Sequence, residues 1–325
     1  MHPIVPYART AYATGWAASG GPLTDRVKDR CAVAVCYAID HADDPRVLEA
    51  TLQLGSLEGV WAAIFDRRDR LYADNVAKVA DAWKTLVSSV DVATVVRTVR
   101  QQAGVAEAKK DKTTAAYAAT LILIQLTSLM LHSNWLELKA AVEDALASGS
   151  AEGQAGAMAL LADQVGATGF NFDKAFADAK KQLGASNPLL PSVENWIGQL
   201  MNEVASAAGN ALAQGIADGE DPSTLEDALG DFLDDPQGPM NYVLDSMTHL
   251  AITAGILWWY QRYGVANIWF ITAGDMKVCS QCDDAEVGSP YAIYEAPAPP
   301  LHPNCRCSLY TDESMSVDLI DSYVG

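Results

Sequence analysis

Between positions 275 and 310 the chain gathers four cysteines and a histidine into two tight groups, and no other stretch restricts the fold so strongly. Cys279 and Cys282 make a Cys-x-x-Cys step, and His302, Cys305 and Cys307 follow after a loop containing Gly288, Pro290, Pro297, Pro299, Pro300 and Pro303. A loop of that composition has few apolar side chains with which to fix its own shape, so something else must hold it. Two ligand pairs separated by a loop are the pattern of a tetrahedral zinc site. In zinc-binding peptides the ion contributes roughly 10–16 kcal/mol to folding. Five donors then compete for four places. Cys279, Cys282 and Cys305 are expected to ligate together with either His302 or Cys307, because Cys305 and Cys307 stand two residues apart and would crowd one side of an extended segment. Disulfides, for example Cys282 with Cys305, are the alternative, and free thiols in a packed loop are a third reading.

The order of these residues carries a resemblance. Trp269, then Asp275-Met276-Lys277-Val278-Cys279-Ser280-Gln281-Cys282, then Pro299-Pro300-Leu301-His302-Pro303-Asn304-Cys305-Arg306-Cys307, resembles the C-terminal signature of phage Mu F-like minor head proteins. There a helical region precedes a tryptophan, an Asp-x-x-Val-Cys-x-x-Cys step and a His-Pro-x-Cys-Arg-Cys ending. The likeness covers roughly residues 191–310, and the chain departs from it at Thr248-His249, where such proteins often carry Thr-Glu. The resemblance implies a low-copy minor capsid protein assembled in the host cytoplasm and placed in the virion, inside the head near the portal. It implies work in head morphogenesis and in DNA packaging or delivery. The implied partners are the portal protein and the major capsid protein, with a scaffolding protein as a further one.

Charge bears on the partners. Of 22 basic and 41 acidic residues, residues 1–181 hold 19 and 21, while residues 182–325 hold 3 and 20. Nucleic-acid affinity comes chiefly from Lys and Arg displacing counterions, so a zinc module in this acidic half is not expected to read DNA. No charged, then apolar, then small-residue opening marks a secretion signal. With six cysteines in 325 residues there is no disulfide framework, and Cys31 and Cys36 read as small buried hydrophobes of a separate helical run.

Half of the residues are hydrophobic, enough for a sizeable core, and the fold class is mainly α: a multi-helix body followed by a small α+β, zinc-stapled C-terminal module. The expected division is an N-terminal arm at 1–22, a helical domain at 23–190, a domain at 191–311 carrying the Cys/His cluster, and a mobile acidic tail at 312–325. After a helix from about 23 to 39, Pro45 opens another, since its missing N–H is harmless at a first helical position. Residues 56–90 read as two abutting helices with Arg67, Arg68 and Arg70 as a solvated break between them.

Residues 113–134 hold no charge and are long enough to cross a bilayer. Their threonines, Gln125, Ser128 and His132 favour a helix buried in a bundle, with membrane contact at ejection as the lesser alternative. Further helices are expected at 153–165, 173–183 and 196–217. Ser223-Thr224-Leu225-Glu226 reads as a capping box opening a helix to about Phe232, and another helix spans 241–263 with Gly264 as its stop. Asn267 to Thr272 is β-branched and aromatic, hence a strand, with Trp269 packing on the preceding helix.

Catalytic constellations are missing. There is no His-Glu-x-x-His, no Gly-x-Ser-x-Gly and no phosphate loop, and the deaminase pattern fails because Leu250-Ala251 follows His249 and Val278 precedes Cys279. The acidic pairs Asp283-Asp284 and Asp234-Asp235 read as solvated loop carboxylates. The chain is therefore expected not to be an enzyme. The competing reading, a zinc-dependent enzyme or redox protein, requires an open metal position or a low-pKa thiol.

Overall fold

The computed structural model describes residues 45–105, 112–130, 134–183, 187–272, 278–302, 305–313 and 315–324. The expected arm at 1–22 and the helix bearing Cys31 and Cys36 lie outside the described residues. The chain is mainly helical. Its helices are α1 (Pro45–Val87), α2 (Val92–Val105), α3 (Lys112–Leu129), α4 (Asn134–Gln164), α5 (Phe172–Leu183), α6 (Val193–Ala217), α7 (Pro222–Asp234) and α8 (Gln237–Arg262). A small C-terminal part adds β1 (Asn267–Ile271), α9 (Ser280–Val287), β2 (Tyr291–Ala292) and β3 (Ser308–Tyr310), and two short 3-10 turns, Val317–Leu319 and Asp321–Tyr323, close the chain. Among the described residues no helix is long and apolar enough to cross a membrane.

Contacts divide the chain into two compact units that interleave along the sequence. One takes Met1–Asp69, Ser150–Leu183 and Ile252–Gly325, and the other Arg70–Gly149 and Gly184–Ala251. Three of the changeovers fall inside α1, α4 and α8, and the fourth falls at the end of α5, after Leu183.

In the second unit the core is an apolar stripe from each helix. Val79, Trp83 and Leu86 of α1 meet Val95, Val96 and Val99 of α2, Ala118, Ile122 and Leu126 of α3, and Ile197, Leu200, Met201 and Val204 of α6. Helix α3 is buried along one stripe only: Ile122 is fully covered while Ile124 is 59 % exposed, and Thr120 and Thr127 are exposed too. Polar residues stand on its exposed face, so the helix is not buried on all sides as expected. Helices α3 and α6 approach closely at Gly209, where a Cβ would stand 2.7 Å from the Ala115 carbonyl oxygen. The Trp83 indole N–H donates to the Leu233 carbonyl at 2.9 Å, so the largest core side chain of α1 is satisfied at its polar end.

The start of α7 differs from expectation. The N-cap is Asp221, with Pro222 at the first helical position, and the Asp221 carboxylate accepts from the N–H groups of Ser223 and Thr224 and from both of their hydroxyls. Ser223 and Thr224 are thus partners of the cap and not the cap itself, because proline at N1 pushes the capping position one residue earlier. The Ser223 hydroxyl first, then the Thr224 N–H, hold the Asp221 carboxyl down at about 2. Since the folded value lies below the unfolded one of about 3.9, the cap's contribution is complete above that value and is lost as pH falls through about 2. Asp221→Ala is expected to lower the melting temperature at neutral pH and to flatten the acid limb of the unfolding curve between these two values, as circular dichroism against pH would register.

The first unit is built around a crossing of α4 and α8. A Cβ at Gly153 would lie 1.9 Å from the Ile252 carbonyl oxygen, and one at Gly255 would lie 2.0 Å from that of Ser150. The glycines that suggest the start of a helix at 153 are interior to α4, which runs from Asn134. They are tolerated because they let two backbones meet. Around the crossing pack Met158, Leu161, Ile256, Trp259, Tyr260, Ile268, Phe270 and Leu309. Helix α1 is one continuous helix where two were expected; Arg70 is exposed as expected, but Arg67 and Arg68 are not part of a solvated break. Arg67 pairs with Glu152 at 3.4 Å and Asp173 at 3.0 Å and lies 4.0 Å above the Phe172 ring, while Arg68 is only 8 % exposed.

Strand β1 is central in the order β2-β1-β3, antiparallel to both neighbours, with Asn267 opposite Ala292 and Trp269 opposite Tyr310. Helix α8 starts four residues earlier than expected and stops before Gly264, whose φ of +75° suits a residue without a Cβ. Trp269 groups with Leu160, Tyr310, Ile64, Phe65 and Ile271, and so packs toward α1 and α4 where α8 was expected. Tyr263, Gly264 and the turn after α8 reverse the chain, which sends alternate residues Ile268 and Phe270 toward the α8 side.

The acidic tail is packed, contrary to its expected mobility. The Glu313 carboxylate accepts from the N–H groups of Ala266 and Asn267, Ile320 is fully buried, and the Asn171 N–H donates to the Tyr323 carbonyl at 2.7 Å. Met315, Leu319, Ile320 and Tyr323 give the segment an apolar side that its charge count conceals.

Candidate metal centre

The centre is assembled on α9 and the segment before β3. Cys279 is the N-cap of α9: its Sγ accepts from the Cys282 N–H at 3.4 Å, which brings the first and fourth residues of the Cys-x-x-Cys step side by side. Helix α9 is anchored to β1. Glu286 accepts from the Thr272 N–H and hydroxyl at 3.2 and 3.0 Å, the Phe270 N–H donates to the Ser289 hydroxyl at 2.8 Å, and the Tyr291 hydroxyl donates to the Ala285 carbonyl at 2.8 Å. Asp283 and Asp284 lie within α9 and not in a loop; Asp234 closes α7 and Asp235 is its C-cap.

The second ligand group comes in on a turn, with the Cys305 N–H donating to the His302 carbonyl at 3.1 Å. Cys305 and Cys307, two residues apart in extended chain, point the same way and are both buried. The crowding expected of that spacing is real, yet it draws both thiols inward and excludes neither. Cys282 stands between the groups. Its Sγ is 3.1 Å from His302 Nε2 and 3.9 Å from Cys305 Sγ.

All five expected donors therefore come together, in two overlapping triads whose ligand atoms lie within 4.8 Å of one another: Cys279, Cys282 and His302, and Cys282, Cys305 and Cys307. Cys282, Cys305 and Cys307 are buried, while Cys279 and His302 are partly exposed, so the cluster is closed on its protein side and reached from the other. No disulfide joins these four cysteines. The residues of the cluster can hold a metal ion. A tetrahedral ion with sulfur at about 2.3 Å and nitrogen at about 2.0 Å needs only small shifts of these atoms, the His302 nitrogen moving slightly away from Cys282 and the thiols drawing together.

Electrostatics agree with that use. The Cys282 N–H holds the Cys279 thiol below its ordinary value. A hydrogen bond from the Cys307 thiol lowers Cys305 to about 5, and Cys307, the donor in that bond and buried as well, is raised. Burial pushes Cys282 up to about 12. Without a cation the cluster thus favours the thiolate at Cys279 and Cys305 and the thiol at Cys282 and Cys307. A divalent ion reverses that balance, since coordination favours thiolate.

Sequence reasoning missed two residues at the edge of the centre. Arg68 Nη2 donates to the Cys305 carbonyl at 3.3 Å, and the Arg306 guanidinium lies 3.8 Å from the Asp69 carboxylate. No local signal marks them, because the residues they meet are more than two hundred positions away. No family model, curated protein or solved structure matches this chain.

Proposed function

We propose that this chain is a minor structural protein of a phage head, placed in the head interior near the portal, with a zinc ion closing its C-terminal part. The observation that carries the reading is the ordered set Trp269, Cys279, Cys282, His302, Cys305 and Cys307. Its residue types and order resemble the Mu F-like signature, and its five donors converge on one cluster. Zinc is favoured by the donor set: thiolates and an imidazole suit it, and oxygen-seeking cations do not use them. Five protein donors also outnumber the four places of a tetrahedral ion and leave none for a substrate, which favours a structural ion over a catalytic one.

The partners in this reading are the portal protein and the major capsid protein, with a scaffolding protein during assembly. Only Arg262, Lys277 and Arg306 are basic after Lys181, so recruitment through protein surfaces is favoured over recruitment through DNA. The protein is then expected in empty precursor heads made by a packaging-blocked mutant. Its deletion should leave shells that form yet are deficient in DNA content or infectivity. Finding it only in DNA-filled heads, and released from opened heads by nuclease, would overturn recruitment by protein contact. An enzyme or redox role would instead need a reactive thiol in the metal-loaded chain, which thiol titration alongside metal analysis would expose.

A further inference from the structure

We propose that Arg68 is a positioning residue of the metal centre: from α1 it holds the 305–307 arm in the geometry that ligation requires and offsets part of the negative charge of the ligating thiolates. This rests on reading the Cys/His cluster as a metal site. The carbonyl that Arg68 binds belongs to the peptide joining Cys305 to Arg306, within the Cys305-Arg306-Cys307 step, at 3.3 Å and buried. Rotation of that peptide would swing both thiols, which are 1 % and 3 % exposed. A donor fixed on a long helix pins the rotation. Metal ligands are commonly oriented through such outer contacts, and their loss weakens metal binding about 10–100-fold.

Charge gives the second reason. Among the described residues Arg68 is the only buried lysine or arginine. A zinc ion with four thiolates carries a net charge of about −2, and with three thiolates and an imidazole about −1, so a buried cation beside it is stabilising.

Its neighbours do something else. Arg67 is engaged with Glu152, Asp173 and the Phe172 ring, none of which belongs to the Cys/His cluster. The Arg306 pair with Asp69 is 3.8 Å long between side chains 43 % and 66 % exposed, a geometry that contributes little.

The test uses the full chain, prepared metal-free under reductant and titrated with zinc against a chromophoric chelator and with cobalt(II) by absorption. Arg68→Met keeps the length and removes both donor and charge, and should weaken zinc about 10–100-fold and alter the thiolate-to-cobalt band. Arg68→Lys restores the charge without the fork, gives an intermediate affinity, and carries the test alone should Arg68→Met unfold the chain. Arg67→Met is the control: it lowers the melting temperature and leaves affinity and spectrum unchanged. Wild-type affinity and spectrum in Arg68→Met overturn the proposal alone, and so does equal weakening by Arg67→Met, which would mean general loosening. A wild-type chain that binds neither ion overturns the metal reading, and the proposal with it.

Discussion

Cys282→Ser is expected to abolish metal retention, where Cys279→Ser or Cys307→Ser only weakens it. Cys282 belongs to both triads, and its Sγ has His302 Nε2 on one side and Cys305 Sγ on the other, at 3.1 and 3.9 Å. Removing Cys279 leaves Cys282, Cys305 and Cys307 with His302 alongside, still four donors. Removing Cys307 leaves the Cys279, Cys282 and His302 triad with Cys305 alongside. Removing Cys282 splits the donors into groups without a common centre. Because metal and folding are linked, with about 10–16 kcal/mol at stake in zinc peptides, Cys282→Ser should also lower the melting temperature of the first unit toward that of the chelated wild type. Native mass spectrometry is the readout: one ion in the wild type, none in Cys282→Ser. An ion retained by Cys282→Ser with unchanged affinity would show that the two triads do not share a centre. A metal-free wild type that oxidises to a bridge between Cys282 and Cys305 would replace the metal reading with disulfides.

The legible and illegible parts of this chain separate by the range of the physics involved. The cluster is readable because its grammar is local. Cys279 and Cys282 meet through one helical turn, and Cys305 and Cys307 share a face through the period of two in extended chain, so spacing alone places the donors. Strand β1 and the stop of α8 at Gly264 are readable for the same reason. The choice between His302 and Cys307 is not, because it depends on how the turn after His302 delivers both groups to Cys282, and the structure brings in both.

Long-range packing accounts for the errors. Five consecutive polar positions at 66–70 resemble a helix break, whereas Arg67 and Arg68 find Glu152, Asp173 and the Cys305 carbonyl far along the chain. The tail reads as mobile by its charge, yet Glu313 is held by two backbone N–H groups of the β1 approach, a use of a carboxylate that composition does not reveal. The interleaved units are hidden for a topological reason: α1, α4 and α8 each contribute to both, and a helix that runs unbroken through a changeover carries no break in its pattern there.

Glycine is where local propensity and packing disagree most, and it supplies the other large expected effect. In helix interiors glycine is less favourable than alanine by about 0.5–1 kcal/mol, so Gly→Ala should stabilise wherever there is room. Gly198 in α6 has nothing within 4 Å of the place an added methyl would take, and Gly198→Ala is expected to raise stability by about that amount. Gly153 is the opposite case. A methyl there would meet the Ile252 carbonyl oxygen at 1.9 Å and its carbon at 2.7 Å, and these are backbone atoms of α8 that cannot swing aside as a side chain would. Gly255 repeats the clash from the other helix, against Ser150. Relief requires α4 and α8 to separate along their crossing, which opens the packing of Ile252, Ile256 and Met158 around it. Overpacking typically costs about 1–3 kcal/mol; a backbone-to-backbone clash should reach or exceed the top of that range, a large part of a total stability of about 5–15 kcal/mol. Gly153→Ala and Gly255→Ala should each lower the melting temperature by many degrees, and because both relieve the same crossing, the double variant should lose less than the sum. Thermal unfolding of the metal-loaded chain measures all four variants. Gly153→Ala melting with or above the wild type, as Gly198→Ala should, would mean that α4 and α8 do not cross at van der Waals contact and that the first unit is held together in some other way.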